Sequence, residues 1–201
     1  MVIGTHLIIS AYGFWLPNDP RGSWSEFVGS WELLRFGRAT KVATRHSVAA
    51  RPHDRPSRLA AKAALKYPEV HFSGVQARAI GRGFAGFVAT SGVGVWACSI
   101  LPEHVHLVIA AHRYAAEQVA NLLKGAATSR MAAEKVHPMA GLPARSGRLP
   151  APWGRGEWKV FLHTPADVRR AITYVEDNPA KEGLPPQRWS FVRPYDGGWT
   201  G

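Results

Sequence analysis

One cysteine, Cys98, occurs in 201 residues. A lone thiol can form neither an internal disulfide nor a thiolate-rich zinc site, so a reducing cytoplasm is the expected compartment. Long apolar runs are missing too: none approaches the ~20 residues that a membrane span requires. The stretch from Val2 to Ile9 is short, is interrupted by Thr5 and His6, and has no basic leader, so it does not read as a secretory signal. Acidic side chains are scarce, with 14 Asp and Glu against 25 Lys and Arg and a formal net charge of +11. That imbalance points to polyanionic partners, nucleic acid first and an anionic membrane surface second. Nothing repeats internally, and no segment falls to low complexity.

The chain is long enough for one domain with a proper core. Its most distinctive stretch is Ser99-Ile100-Leu101-Pro102-Glu103-His104-Val105-His106-Leu107-Val108-Ile109. Side chains alternate along a strand, so His104 and His106 share one face while Val105, Leu107 and Ile109 share the other. Two rigid neutral imidazoles can converge on a divalent cation if a third polar group closes the site. The plainer reading is a solvated pair on a half-buried strand. A third alternate histidine, as in the histidine-triad nucleotide hydrolases, is replaced by Val108, and the paired H-x-[ST] motifs of two-histidine phosphodiesterases are absent.

Periodicity places the remaining elements. Val2 to Ala11 reads as a first strand, ended by Pro17, Pro20 and Gly22. His6 inside it reads as a sheet-face or core histidine with one satisfied hydrogen bond. Trp15, Trp24 and Trp31 either stack on bases or cap a core. Arg35, Arg38, Lys41, Arg45, Arg51, Arg55, Arg58, Lys62 and Lys66 face the single acid Asp54, a stretch that either neutralises phosphates or is a solvated surface. Arg51, Arg55 and Arg58 are its DNA-binding candidates.

Val75 to Ser91 is weakly helical. Its Gly81, Gly83 and Gly86 match G-x-G-x-x-G, but no strand precedes them and no helix opens after them, which excludes a dinucleotide loop. Val93 to Ile100 and His104 to Ala111 form an antiparallel hairpin. Tyr114 to Lys135 reads as an amphipathic helix with Lys124 and Arg130 on its outer side as candidate phosphate contacts. Tyr114 is a tyrosine nucleophile on paper, without a neighbouring metal ligand. After a loop rich in Pro, Gly and Arg comes a strand over Trp158 to Leu162. A helix then starts with Thr164 as N-cap and Pro165 at its first position. Val168, Ala171, Ile172 and Val175 form its core stripe, with Tyr174 and Asn178 one turn apart on a flank and the helix ending before Pro179. Trp189, Phe191, Arg193 and Tyr195 read as a final edge strand or a base-stacking tail.

The ordered set of His104-Val105-His106, Tyr174 and Asn178 resembles the single-tyrosine HUH nucleases, specifically the IS200/IS605-like insertion-sequence transposases and their REP-associated relatives. The opening Thr5 to Gly22 and the segment from Trp158 through Leu184 resemble a subgroup of these, with a poorly matched stretch from Ser23 to Ser73. Two positions depart from the pattern: Glu103 stands where many relatives have Asn, and Asn178 where others have Gln.

The element order already indicates an α+β protein with helices packed on a sheet. The resemblance implies a ferredoxin-like antiparallel sheet with helices on one face. It divides the chain into a catalytic domain over 1–184, with a basic insertion over about 23–73, and a tail over 185–201. It further implies that His104, His106 and Asn178 hold Mg²⁺ or Mn²⁺ and that Tyr174 attacks single-stranded, hairpin-containing DNA to form a 5′-phosphotyrosine, as in transposition and DNA recombination. The protein would act as a monomer or homodimer. The other reading of the same residues is a DNA-hairpin-binding protein, derived from a transposase, whose site is weak or inactive.

Overall fold

The structure is a computed structural model and describes residues 1–44 and 47–197. Arg45 of the basic stretch lies outside the described residues. The element order is β1 (Gly4–Ser10), α1 (Trp31–Leu34), α2 (Arg55–Ala63), α3 (Gly74–Ser91), β2 (Val95–Ile100), β3 (His104–Ala110), α4 (Ala116–Ala133), β4 (Trp158–Leu162) and α5 (Pro165–Lys181). The four strands form one sheet in the order β2-β3-β1-β4, and each neighbouring pair is antiparallel. With α3 joining β1 to β2 and α4 joining β3 to β4, this is the expected α+β antiparallel arrangement.

The alternation of apolar residues determines what each sheet face meets. Leu7, Ile9, Val105, Leu107 and Ile109 are buried with Ile80 and Phe84 of α3 and Val119, Leu123 and Met131 of α4. Full burial of each such side chain contributes about 1.5–3 kcal/mol relative to exposure. The two-helix layer therefore covers one face; the helices are not confined to that face as the resemblance implied, because α5 carries an apolar stripe of its own. The opposite face carries α5, whose Val168, Ala171 and Val175 pack on Trp96, Ala97, Val108, Ala110 and Leu162.

Local chemistry sets the helix ends. Ser73 with Gln76, and Thr164 with Asp167, form reciprocal capping boxes at the starts of α3 and α5. Gly92 closes α3 in the left-handed conformation at φ 75°. The expected stop of α5 before Pro179 is corrected by the structure: the helix runs through Pro179 to Lys181. The proline forfeits one backbone hydrogen bond, but Asn178 and Pro179 are both buried in the helix's packed side. That burial outweighs the local preference to stop.

Two of the glycines in the rejected phosphate-loop pattern serve packing. A Cβ on Gly83 would lie 2.7 Å from the Ala126 carbonyl oxygen, so its absence lets α3 and α4 touch backbone to backbone. A Cβ on Gly81 would lie 2.2 Å from the Trp189 ring, which the tail lays across α3. Over its described residues, 185–197, the tail adds no strand. Pro185, Pro186 and Pro194 cannot donate to a ladder. Instead the Gln187 side chain bonds both backbone groups of Ile100 at 2.8 Å, and the Arg193 N–H donates to Val95 O. Phe191 is buried against Phe84, which removes it from any base-stacking role.

Leu16 of the loop after β1 forms a small separate core with Leu33 and Ala61 of the segment that follows. Asp19, fully buried, accepts from Nε and Nη2 of Arg21 at 2.8 Å each, and the Arg21 guanidinium lies 3.9 Å above the Trp15 ring. The Trp15 to Gly22 loop is thus a rigid structure held by a bidentate ion pair.

The contrast between two helical glycines is testable. Gly83→Ala is expected to destabilise by about 1–3 kcal/mol, because its new Cβ meets backbone. Gly86→Ala has no atom within 4 Å of the new Cβ and is expected to stabilise by up to about 1 kcal/mol through helix propensity. Urea unfolding of both variants measures the difference, and equal midpoints would contradict the close helix contact.

Candidate functional site

The register of β1 on β3 builds the site. Ile8 pairs with His106, His6 with Val108 and Ser10 with His104. Residues on one face alternate, so His6, His104 and His106 all stand on the face that α5 covers. Along α5, Tyr174, Asn178 and Glu182 recur at four-residue spacing and form a single row. These two sets line one cleft of roughly 840 Å³, which contains His6, His104, His106, Tyr174, Asn178 and Glu182.

Within the cleft the rings are in contact. The Tyr174 ring centroid is 5.7 Å from that of His106 and 5.7 Å from that of His6, edge to face in both cases. His104 and His106 lie 4.7 Å apart at an interplanar angle of 75°. Phe14 stacks on His104 at 4.8 Å and 5°, which fixes that imidazole from the loop side. Glu182 Oε1 comes within 4.0 Å of His104 Nε2. Tyr174 itself is 42% exposed, so its hydroxyl is open to a large substrate. Lys181 Nζ lies 4.5 Å from its ring.

Burial sets the electrostatics. It pushes the His6 and His104 imidazoles down to about 4 from their ordinary 6.5. His106 is also held well below that value, first by burial and then by the neighbouring His104, His6 and Lys181. All three rings are therefore neutral at pH 7, the state in which a nitrogen lone pair can reach a metal. Burial raises the Glu182 carboxyl above its usual range, and the nearby Glu103 adds to the shift.

The residues fit a divalent cation by their donor chemistry. His104 Nδ1 is buried with no hydrogen-bond partner among the described residues, so that imidazole nitrogen is uncommitted; the buried Asn178 Nδ2 is also unpaired but is an N–H donor, so Asn178 could ligate only through its carbonyl oxygen. Two neutral imidazoles, an amide and a carboxylate form a mixed nitrogen and oxygen set suited to Mn²⁺ and, with retained waters, to Mg²⁺. A second cluster borders the cleft through Glu103: ligand atoms of Glu69, His71 and Glu103 lie within 4.8 Å of one another and could hold a metal ion. There Glu69 is already paired with Lys62 at 2.6 Å, and the two nitrogens of His71 face different carboxylates.

The other candidates fall in different places. Arg51 and Arg55 are exposed, and the Arg58 Nε–H donates to His53 Nε2. Ser47, Val48 and Ala49 line the cleft, so the basic stretch meets it there, while Arg51 is not part of the lining. Arg130 is exposed on α4 and lies 3.9 Å from Glu134. Lys124 does not ride the outer side of α4. It is 9% exposed, and its Nζ–H groups donate to the carbonyls of Gly154 and Gly156, so the ammonium holds a loop instead of facing solvent. Tyr114 packs on the main core, away from the cleft.

Sequence reasoning took His6 for a sheet-face or core histidine and gave no role to Glu182, Phe14 and Arg21, yet all four line the cleft. Glu182 was detectable as the next four-residue step after Asn178. His6 was not, because its role depends on strand register.

No known protein family matches the chain, and no curated protein does. Among solved structures, the chain is similar to one described as a REP-associated tyrosine transposase bound to a REP hairpin, at 13% identity and a TM-score of 0.46, over 100% of this chain and 93% of that one.

The depressed imidazoles predict a pH dependence for the metal-free protein. His6 and His104 titrate near 4 when folded and near 6.5 when unfolded, so between those values the unfolded chain binds more protons. Stability should be complete above about pH 6.5 and should decline as the pH falls toward 4. Urea midpoints measured across this range test it, and a flat profile would mean that the rings are not held neutral.

Proposed function

We propose that the chain is a metal-dependent single-stranded DNA endonuclease and strand transferase, transposase-like, in which Tyr174 is the nucleophile. The observation that carries this reading is the convergence of Tyr174 with His106 and His104 in one cleft. His104, His106 and Asn178 would hold Mg²⁺ or Mn²⁺. The bound cation would supply Lewis-acid polarisation of the scissile phosphate.

The chain's own residues account for the rest of the reaction. The Tyr174 hydroxyl attacks phosphorus, forming the tyrosyl oxygen–phosphorus bond as the bond to the 3′-oxygen breaks. The phenol loses its proton and the departing oxygen gains one, leaving a free 3′-hydroxyl and a 5′-phosphotyrosine. Because the new ester keeps the bond energy, a second 3′-hydroxyl can displace Tyr174 and rejoin a strand without ATP. The neutral imidazoles keep their lone pairs for the cation. The net charge of +11 supplies attraction for the polyanion, and Arg51, Arg55, Arg58 and Arg130 are the exposed or partly exposed candidates for phosphate contacts. Hairpin-containing single-stranded DNA is the proposed partner.

Tyr174→Phe removes one hydroxyl and should retain folding and DNA affinity while eliminating the covalent adduct. Tyr114→Phe should keep the adduct. A denaturing gel with end-labelled single-stranded DNA and Mn²⁺ reads both. An adduct that survives in Tyr174→Phe would refute the assignment, whereas no adduct with the parent protein on its own genomic flanks would favour a module that binds hairpins without cutting them.

Affinity for single-stranded DNA should fall with salt at a slope of about −0.7 per phosphate neutralised. The triple change of Arg51, Arg55 and Arg58 to alanine should flatten that slope. An unchanged slope would make the basic stretch a solvated surface.

A further inference from the structure

His6 reaches the cleft from a different strand than the histidine it meets. It sits two residues before Ile8, the residue paired with His106, on the same sheet face. Diagonal neighbours on a face are close enough for rings to touch. His6 Nε2 lies 3.0 Å from His106 Nδ1, with ring centroids 5.2 Å apart and inclined by 30°. The His106 side chain is almost completely buried, so this contact is built into the packed site and does not wave in solvent.

Two neutral imidazoles share one proton in such a bond, and its direction decides what the other nitrogen of His106 can do. If the His6 Nε2–H donated, the proton of His106 would sit on its own Nε2 and block that lone pair. If the His106 Nδ1–H donates, His106 Nε2 keeps its lone pair and the proton of His6 moves to Nδ1. Only the second arrangement leaves His106 able to ligate through Nε2. Partners that accept the remote N–H of a ligating histidine fix its tautomer and raise its basicity.

We infer that His6 is a positioning residue, which accepts the Nδ1–H of His106 through Nε2 and holds that ring with Nε2 open to a divalent cation. This rests on the proposed metal role of His106. With Nε2 committed to His106, His6 is not itself a ligand through that nitrogen. Its ring also lies against Tyr174 at 5.7 Å, the same distance as the His106 ring, so the three side chains pack as one group.

The test compares Mn²⁺ affinity by calorimetry in the parent, His6→Gln, His6→Phe and His106→Ala. Glutamine places a carbonyl oxygen near the position of Nε2, whereas phenylalanine fills the space without an acceptor. His6→Phe should bind Mn²⁺ about 10–100-fold more weakly, and His6→Gln should recover most of that loss. Parent-like binding by His6→Phe, or equal losses in both variants, would overturn the inference while leaving the metal site standing. Parent-like binding by His106→Ala would overturn the metal site and the inference with it. Nitrogen-15 NMR of the parent with Zn²⁺ as a diamagnetic probe supplies an answer even if His6→Phe fails to fold. The expected spectrum shows a protonated Nδ1 on both His6 and His106, and a proton on His106 Nε2 would refute the assigned direction. Pulsed EPR of bound Mn²⁺ should detect the same number of ligating imidazoles in the parent and in His6→Gln, and one fewer in the variant would make His6 a ligand.

Discussion

The antiparallel register of β1 on β3 is the constraint on which the site depends. It places Ile8 opposite His106 and His6 opposite Val108, so three imidazoles share one face while Leu7, Ile9, Val105 and Leu107 share the buried one. A slip of β1 by one residue would exchange its faces, putting His6 under α3 and α4 and Leu7 and Ile9 toward the cleft. Burial of the apolar set therefore fixes the polar set. The stability of the core and the geometry of the imidazoles are consequences of the same pairing.

The second constraint is the seating of α5. Its apolar stripe, Val168, Ala171 and Val175, binds it to the face that carries the histidines, which turns the row Tyr174, Asn178 and Glu182 along the cleft. Continuation past Pro179 has a chemical consequence. Had the helix stopped before the proline, Glu182 would not have followed Asn178 in that row, and no carboxylate from α5 would lie near His104. The short reach of Asn178 is thus accompanied by a longer acidic side chain one turn on.

Loop structure completes the walls. Phe14 stacks on His104, and the neighbouring Trp15, Asp19 and Arg21 form a locked unit whose arginine lines the cleft. The basic stretch reaches the same cleft at Ser47 to Ala49. Aromatic side chains and two ion-paired arginines, Arg21 and Arg170, consequently share the cleft wall with Glu103, Asp167 and Glu182.

Sequence by itself determined the elements whose signal is local. The strand over Trp158–Leu162, the hairpin around Pro102, the capping box at Thr164 and the helices beginning near Gly74 and Ala116 all follow from alternation, helical spacing and cap chemistry. It also marked His104, His106, Tyr174 and Asn178, whose spacings of two and four residues place each pair on one face of its element. Tertiary structure decided the rest. Lys124 turned inward because two loop carbonyls, some thirty residues away, needed a donor. Gly81 and Gly83 proved to be contact points for Trp189 and for α4, partners that no local pattern reveals. His6 acquired its meaning from a residue one hundred positions along the chain. Periodicity reports which way a side chain points; only the pairing of strands and the docking of α5 decide what it meets there, because those contacts are set by the burial of apolar surfaces distant in sequence.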